Sequence, residues 1–443
     1  MYIDIYFFNW TNPEKVWEGR PQFTQVGPYR YYVKRSKVGL VWNDNDTVTF
    51  RQMRHWYFDA ENSNGSLTDS INVVDIIPLK TAANQRKANI FEQIALSSSL
   101  FMSAHKINAV RTVKELLFDG YTDNLLYFGN TFYGEEIPSA FGWFYQRNGS
   151  DTNDGLFNMA TGAKDIREVG QIRRWNNGQD TGFYRGSCGR VQGSTGEVFP
   201  PDVTPEDKLS LFTPDLCRTI HLDYKDKVEV GGVEGLRFAG GADTLGPGGA
   251  DSCFCEGECP PTGLLNMTQC RSQAPIFISY PHFYKADPRL LENVSGLQPD
   301  PEKHEFTMTV EPTLGATIDL KARFQINLLV KPNPHVLLYN QVPRPMYMPV
   351  MWFDERATLN TELASELDMM LKVPLMGRLL AWSLLLLGVV LVAVSLARDT
   401  SSPRLPQFTL LAVVRTAVAA GADPAHFANK TSSEVERPRS GPT

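Results

Sequence analysis

The chain has 443 residues, of which 43 are Lys or Arg and 49 are Asp or Glu, for a formal net charge of −6, with 42% hydrophobic and 21% charged residues. That balance excludes a disordered polyelectrolyte and a fully membrane-embedded bundle, and it counts against a nucleic-acid binder, whose footprint is a basic excess. The length permits one large β-rich domain with insertions or two to three ordinary domains.

Met1 leads directly into Tyr2-Ile3-Asp4-Ile5-Tyr6-Phe7-Phe8-Asn9-Trp10. The segment has no basic n-region and no small-residue cleavage site, so it reads as a strand and not as a signal peptide. Shorter strand-like runs occupy residues 47–50, 228–230, 236–238 and 306–310. Turn chemistry punctuates them at Gly27-Pro28, Asn64-Gly65, Gly231-Gly232 and Pro332-Asn333-Pro334. In Ile318-Asp319-Leu320-Lys321-Ala322-Arg323-Phe324-Gln325-Ile326-Asn327-Leu328 every even position is apolar and every odd one polar. Period two without a fault predicts an antiparallel strand with one face buried and the other wet. Many strands and few helices predict a large antiparallel sheet or barrel.

Residues 81–118 stand apart as a helical region, free of Pro and Gly, with the apolar series Ile90, Ile94, Leu96, Leu100, Phe101 and then Val110, Val113, Leu116, Leu117 before Asp119-Gly120. From Lys80 to Phe118 the bases Lys80, Arg86, Lys87, Lys106, Arg111 and Lys114 outnumber Glu92 and Glu115, a local charge of +4. Such a patch is either a solvated helical face or a docking surface for anionic ligands.

All 6 cysteines fall between Cys188 and Cys270. Cys253-Phe254-Cys255 with Cys259 and Cys270 is a poor zinc grammar, since one residue between the first pair is too short for a knuckle. Three disulfides in an oxidising compartment account for the cluster better, and position alone leaves their connectivity open. The glycine-rich stretch 240–249 lacks the Gly-Lys-Ser/Thr of a phosphate loop and reads as a surface loop.

Residues 379–397 carry no charge and extend about 28 Å as a helix, the thickness of a bilayer's hydrocarbon core. Lys372 and Arg378 before this span balance Arg398 and Arg404 after it, so flanking charge does not orient it. Asn-X-Ser/Thr acceptors do: Asn9, Asn45, Asn64, Asn148, Asn266 and Asn293 all precede the span, which puts that side in the lumen or outside the cell. Asn429, beyond the span, is then cytosolic and unmodified. The expected organisation is a glycosylated ectodomain over residues 1–373, a transmembrane helix with its approach over 374–397, and a cytosolic tail over 398–443. An ectodomain without a leader implies a first transmembrane segment upstream of Met1.

Taken in order, several segments resemble the class B scavenger receptors. They are Asn12-Pro13, Gly27-Pro28-Tyr29, Val110-Arg111-Thr112-Val113-Lys114-Glu115-Leu116-Leu117, Phe199-Pro200-Pro201, Asp215-Leu216-Cys217-Arg218, Cys253-Phe254-Cys255, Pro281-His282-Phe283, Glu311-Pro312 and Asn327-Leu328-Leu329-Val330-Lys331-Pro332. The resemblance covers about residues 2–397 and leaves the tail unmatched. It implies an α+β membrane-anchored ectodomain with an antiparallel β-barrel-like core, a helical bundle apex, an internal apolar tunnel and a C-terminal transmembrane helix. It also implies disulfides pairing Cys188 with Cys253, Cys217 with Cys270, and Cys255 with Cys259.

The functional expectation that follows is a cell-surface scavenger receptor. It captures lipids, lipoproteins or other anionic ligands at the basic apex, around residues 81–118, and passes lipid through the tunnel to the membrane. Arg86, Lys87, His105 and Lys106 are the candidate apex contacts. The lysine that anchors fatty acid in some members aligns near residues 102–104, where this chain has none. A lysosomal or endosomal trafficking receptor and a sensory lipid co-receptor are the alternatives, and a second copy of the chain is a further candidate partner. The tail lacks a terminal dileucine-type signal, which favours the plasma membrane. No His-Glu-X-X-His or Gly-X-Ser-X-Gly motif occurs and the 7 histidines are scattered, so a secretory-pathway hydrolase is the remote reading. No metal or cofactor is expected.

Overall fold

A computed structural model describes residues 1–15, 19–126, 138–241, 244–246, 253–255 and 259–400. Most of the tail with Asn429, and much of the 240–249 stretch, lie outside the described residues.

The strand at the N-terminus is the seed of the sheet. β1 (Tyr2–Trp10) pairs antiparallel with β2 (Phe23–Asn43) on one side and β15 (Met346–Thr358) on the other. Outward from β2 come β3 (Thr47–Phe58), β6 (Leu156–Ala160) and β7 (Ile172–Trp175). Outward from β15 come β14 (Ala316–Val330), β13 (Thr307–Glu311), β10 (Val233–Ala239), β9 (Arg218–Val230) and β8 (Leu209–Thr213). With β11 (Leu265–Asn266) and β12 (Ile276–Ser279), which attaches to β14, the sheet has 13 strands. Its two open edges are bridged by one short segment: Ile172 N donates to Gly193 O at 2.8 Å, and Ser194 N donates to Ser210 O at 2.9 Å. The result is a nearly closed antiparallel barrel, which removes the exposed edges that make open sheets aggregate.

The strand-like runs in the sequence fall on β1, β3, β9, β10, β13 and β14. β14 corrects the expectation of one wet face, because every residue from Ala322 to Val330 is buried. The outer, polar face is covered by the chain around Pro281–Phe283 and Pro301–His304, and its polar groups are matched there. Gln325 Oε1 accepts from His282 N at 2.6 Å, Asn327 Nδ2 donates to Ser279 Oγ at 3.0 Å, and Arg323 meets Asp354 at 3.0 Å. Alternation reported the face that meets the barrel interior; the opposite face was polar because it serves a buried hydrogen-bond network.

The helical region also differs from expectation. α1 (Ile76–Asn84) and α2 (Ile90–Met102) are separate helices, followed by β5 (Asn108–Thr112), which pairs with β4 (Ser70–Val74). Asp75 Oδ1 caps α1 at Ile77 N, and Pro78 is tolerated because it lies in the first turn, where its missing N–H costs no intrahelical bond. Asn89 caps α2 at Glu92 N. Ala104, at φ 55°, ends it, and the β-branched Val110 and Thr112 then favour a strand. β4 meets the Trp10 end of β1, where Asn72 N donates to Asn9 Oδ1 at 2.9 Å. The helices therefore rise from one end of the barrel, whereas Tyr2 and Thr358 mark the other.

Three disulfides join Cys188 to Cys253, Cys217 to Cys270 and Cys255 to Cys259, at Cα separations of 6.0, 6.3 and 4.9 Å. This is the pairing implied by the family resemblance, and it leaves no thiolate for zinc. After Thr358 the chain enters α3 (Thr361–Thr400), whose stretch Glu362–Arg398 is long and apolar enough to cross a membrane. Contacts divide the chain into one unit over Met1–Leu371 and a second from Lys372 onward.

Candidate functional site

A cavity of about 1300 Å³ occupies the interior of the first unit, larger than the usual small-ligand pocket. Its wall is written in the strand register. On β15, alternate residues Met351, Phe353 and Glu355 face it, and on β14 Ile326 and Phe324 stand opposite the first two. On β2 and β3, Val33 is paired with Trp56, and one step on Arg35 is paired with Arg54. Aliphatic, aromatic and charged levels thus succeed one another along the strands, over roughly 14 Å from Met351 to Glu355. α1 contributes Ile76 and Ile77, and α2 contributes Glu92, Ala95, Leu96 and Ser99, a spacing that places all four on one helical face. Phe141 and Phe144 complete the apolar wall.

The charged end is a network drawn from four separate stretches of sequence. Arg54 meets Asp154 at 2.7 Å and Asp215 at 3.2 Å, while Arg147 meets Asp215 at 2.7 Å and Asp154 at 3.2 Å. Arg271 donates to the Asp215 backbone oxygen and comes within 3.8 Å of its carboxylate. Burial by itself would push the Asp215 carboxyl up, but Arg147, Arg54 and Arg271 outweigh it and hold it far below the usual carboxylate range. Burial likewise works against the charge on Arg54, and Asp215 and Asp154 more than restore it.

The candidate apex residues divide. Arg86 is tied to the Pro332 carbonyl, and His105 is half-buried with Nε2 3.0 Å from Asp123 Oδ2. Lys87 and Lys106 reach solvent at the two ends of α2 and make no ion pair among the described residues. Between them Phe91 (80% exposed), Ile94, Phe101 (72%) and Met102 (85%) form an apolar face directed away from the cavity. Ile94 and Phe101 belong to the apolar series of the sequence, yet they face solvent while Leu100 alone of that series in α2 is fully buried. The arginine network left no sequence signal, since Arg54, the Arg147–Asp154 stretch, Asp215 and Arg271 are separated by 93, 61 and 56 residues in otherwise apolar or loop-like surroundings. Of the acceptor asparagines, Asn45, Asn64 and Asn148 are exposed and Asn9, Asn266 and Asn293 half-buried; Asn9 Oδ1 is engaged by Asn72.

A nearly closed barrel around an apolar cavity, on a chain with an apolar helix able to cross a bilayer, defines a membrane protein of the class B scavenger receptor type. Residues 1–398 match the CD36 family, and the chain belongs to it. Protein peste of Drosophila melanogaster is 38% identical over 397 residues, which cover 88% of this chain and 71% of peste. Scavenger receptor class B member 1 of Bos taurus is 31% identical over 402 residues, 89% of this chain and 78% of the relative. Lysosome membrane protein 2 of Homo sapiens is also 31% identical, over 395 residues, 88% of this chain and 81% of the relative.

Proposed function

We propose that the protein is a cell-surface scavenger receptor, and not an enzyme, that captures lipids, lipoproteins or other anionic particles at its helical end and houses lipid in the barrel on the way to the membrane. The observation that carries this reading is the cavity, walled on one side by α2 and on the other by the apolar levels of the sheet. Each CH₂ kept from water there is favoured by about 0.8 kcal/mol, so an acyl chain or sterol moves along such a wall without the cost of crossing solvent. α2 serves both steps, because Phe91, Ile94 and Phe101 suit the surface of a lipid particle while Ala95, Leu96 and Ser99 border the cavity. Lys87 and Lys106 supply the attraction for anionic particles.

Charge reversal tests the capture step. In cells expressing the full chain, Lys87→Glu with Lys106→Glu should cut uptake of phosphatidylserine-containing lipid particles by at least threefold at physiological salt. The difference from wild type should shrink as salt is raised. Wild-type uptake by the double variant would remove the helical end from capture.

A further inference from the structure

The guanidiniums at the charged end of the cavity are not fully matched. Arg54, Arg147, Arg271 and Asp215 all line the cavity, whereas Asp154 is 3% exposed and stands behind them. This cluster therefore turns three cations and one anion toward the cavity, apart from the Arg35–Glu355 pair and from Lys80 and Glu92, which line the cavity elsewhere. Arg271 commits only Nη2 to the protein, which leaves its Nε and Nη1 without a partner among the described residues; Arg54 spends Nη1 and Nη2 on Asp215 and Asp154, and its unpartnered Nε is sealed from the cavity, so Arg54 adds charge and not a free donor. A guanidinium presents five donors in a plane, and a buried donor left unmade is costly. The side chains of Asp215 and Arg271 are 35% and 38% exposed, and this open surface belongs to the cavity wall. Burial lowers the proton affinity of Arg271, as befits a cation with little water about it. Glu355, at the same level, is already taken by Arg35 and does not neutralise the surplus.

We infer that this end of the cavity is an anion subsite. It takes the head of a single-chain amphiphile, a carboxylate or a phosphate monoester, against Arg271 in the field of Arg54 and Arg147, while the alkyl chain lies along Phe353, Phe324 and Ile326. A planar or tetrahedral oxyanion is what the paired N–H edge of a guanidinium fits best, and the apolar levels one and two steps along the strands receive the tail. The inference rests on the barrel being a lipid site. It adds the orientation of the bound lipid and the chemistry of its head.

The test measures binding of oleate, oleyl phosphate and oleyl alcohol to the full chain in detergent. These three probes share one chain and differ only at the head. Wild type should prefer the better of the two anions over oleyl alcohol by at least tenfold, and the ranking of oleate against oleyl phosphate identifies the head. Arg271→Gln should bring that preference within threefold, and Arg271→Lys, which keeps the charge, should retain most of it. Equal binding of all three probes by wild type overturns the subsite while leaving the lipid cavity standing, as does an unchanged preference in Arg271→Gln. Binding of none of them overturns the cavity reading and the subsite with it.

Discussion

Placing two indoles on the inner face of α2 should abolish lipid acquisition while leaving the barrel folded. Ala95 and Ser99 are one turn apart, both border the cavity, and neither is part of the buried core, so Ala95→Trp with Ser99→Trp fills space in place of displacing packed side chains. The two rings project between α2 and the aromatic level of the sheet, where Phe353 and Phe324 face each other. Transfer of a fluorescent cholesteryl ester from lipid particles to cells should fall by at least tenfold, with particle binding at the surface within twofold of wild type. Loss of binding and transfer together would mean that α2 captures but does not gate. Unchanged transfer would mean that lipid does not pass α2 at all.

Acid should destabilise the protein through a pair of buried histidines. His282 and His304 stack with ring centroids 4.4 Å apart. Each Nδ1 accepts a backbone N–H at 2.9 Å, from Gln298 and Asp300 respectively, so each neutral ring carries its proton on Nε2. His282 Nε2 donates to Gln25 Oε1 at 2.8 Å, and Trp352 Nε1 donates to the same oxygen. Burial, then His304 and Lys303, lower the pKa of His282 to about 3. Burial lowers that of His304 to about 4 against the opposite pull of Asp300, with smaller contributions in the same direction as burial from Arg323 and Lys303. The native state thus binds fewer protons than the unfolded chain below the ordinary histidine pKa. Stability is fully present above pH 6.5 and is lost as pH falls toward 4 and 3. By linkage the loss at pH 5 is about 2 kcal/mol per histidine.

Melting temperature should therefore fall steeply between pH 6.5 and 4.5. His282→Asn with His304→Asn should melt lower at pH 7.5, for want of the stack, but with a flatter pH dependence. Asn fits the left-handed backbone at position 282, where φ is 54°, and offers Oδ1 to the same backbone donors. A wild-type melting temperature that does not change from pH 7 to 5 would show that these rings are not held neutral. The sign of the effect suits a receptor working at neutral pH better than one resident in an acid lumen.

Much of the barrel was legible because burial on one face leaves a period-two trace: β1 and β14 can be found from their residues alone. The same trace concealed how β14 ends. Gln325 and Asn327 look like solvent-facing residues, yet they are buried, because a chain segment 20 to 45 residues earlier covers them. Helix formers and an absence of Gly and Pro run through the whole of residues 81–118 and cannot by themselves distinguish α2 from β5. The β-branched content of residues 110–113 was the cue. The apex bases were legible as charge but not as partners, and Arg86 and His105 turned out to be held by Pro332 and Asp123. The arginine network was not legible, because nothing in sequence brings Arg54, Arg147, Asp215 and Arg271 together except closure of the barrel itself.

Native mass spectrometry of the full-length protein, released gently from membranes, tests most directly whether the barrel holds lipid. Wild type should carry lipid-sized adducts that survive detergent removal and are lost when Ala95→Trp and Ser99→Trp occupy the cavity. A wild-type spectrum without adducts, or adducts retained equally by the cavity-filled variant, would contradict the account.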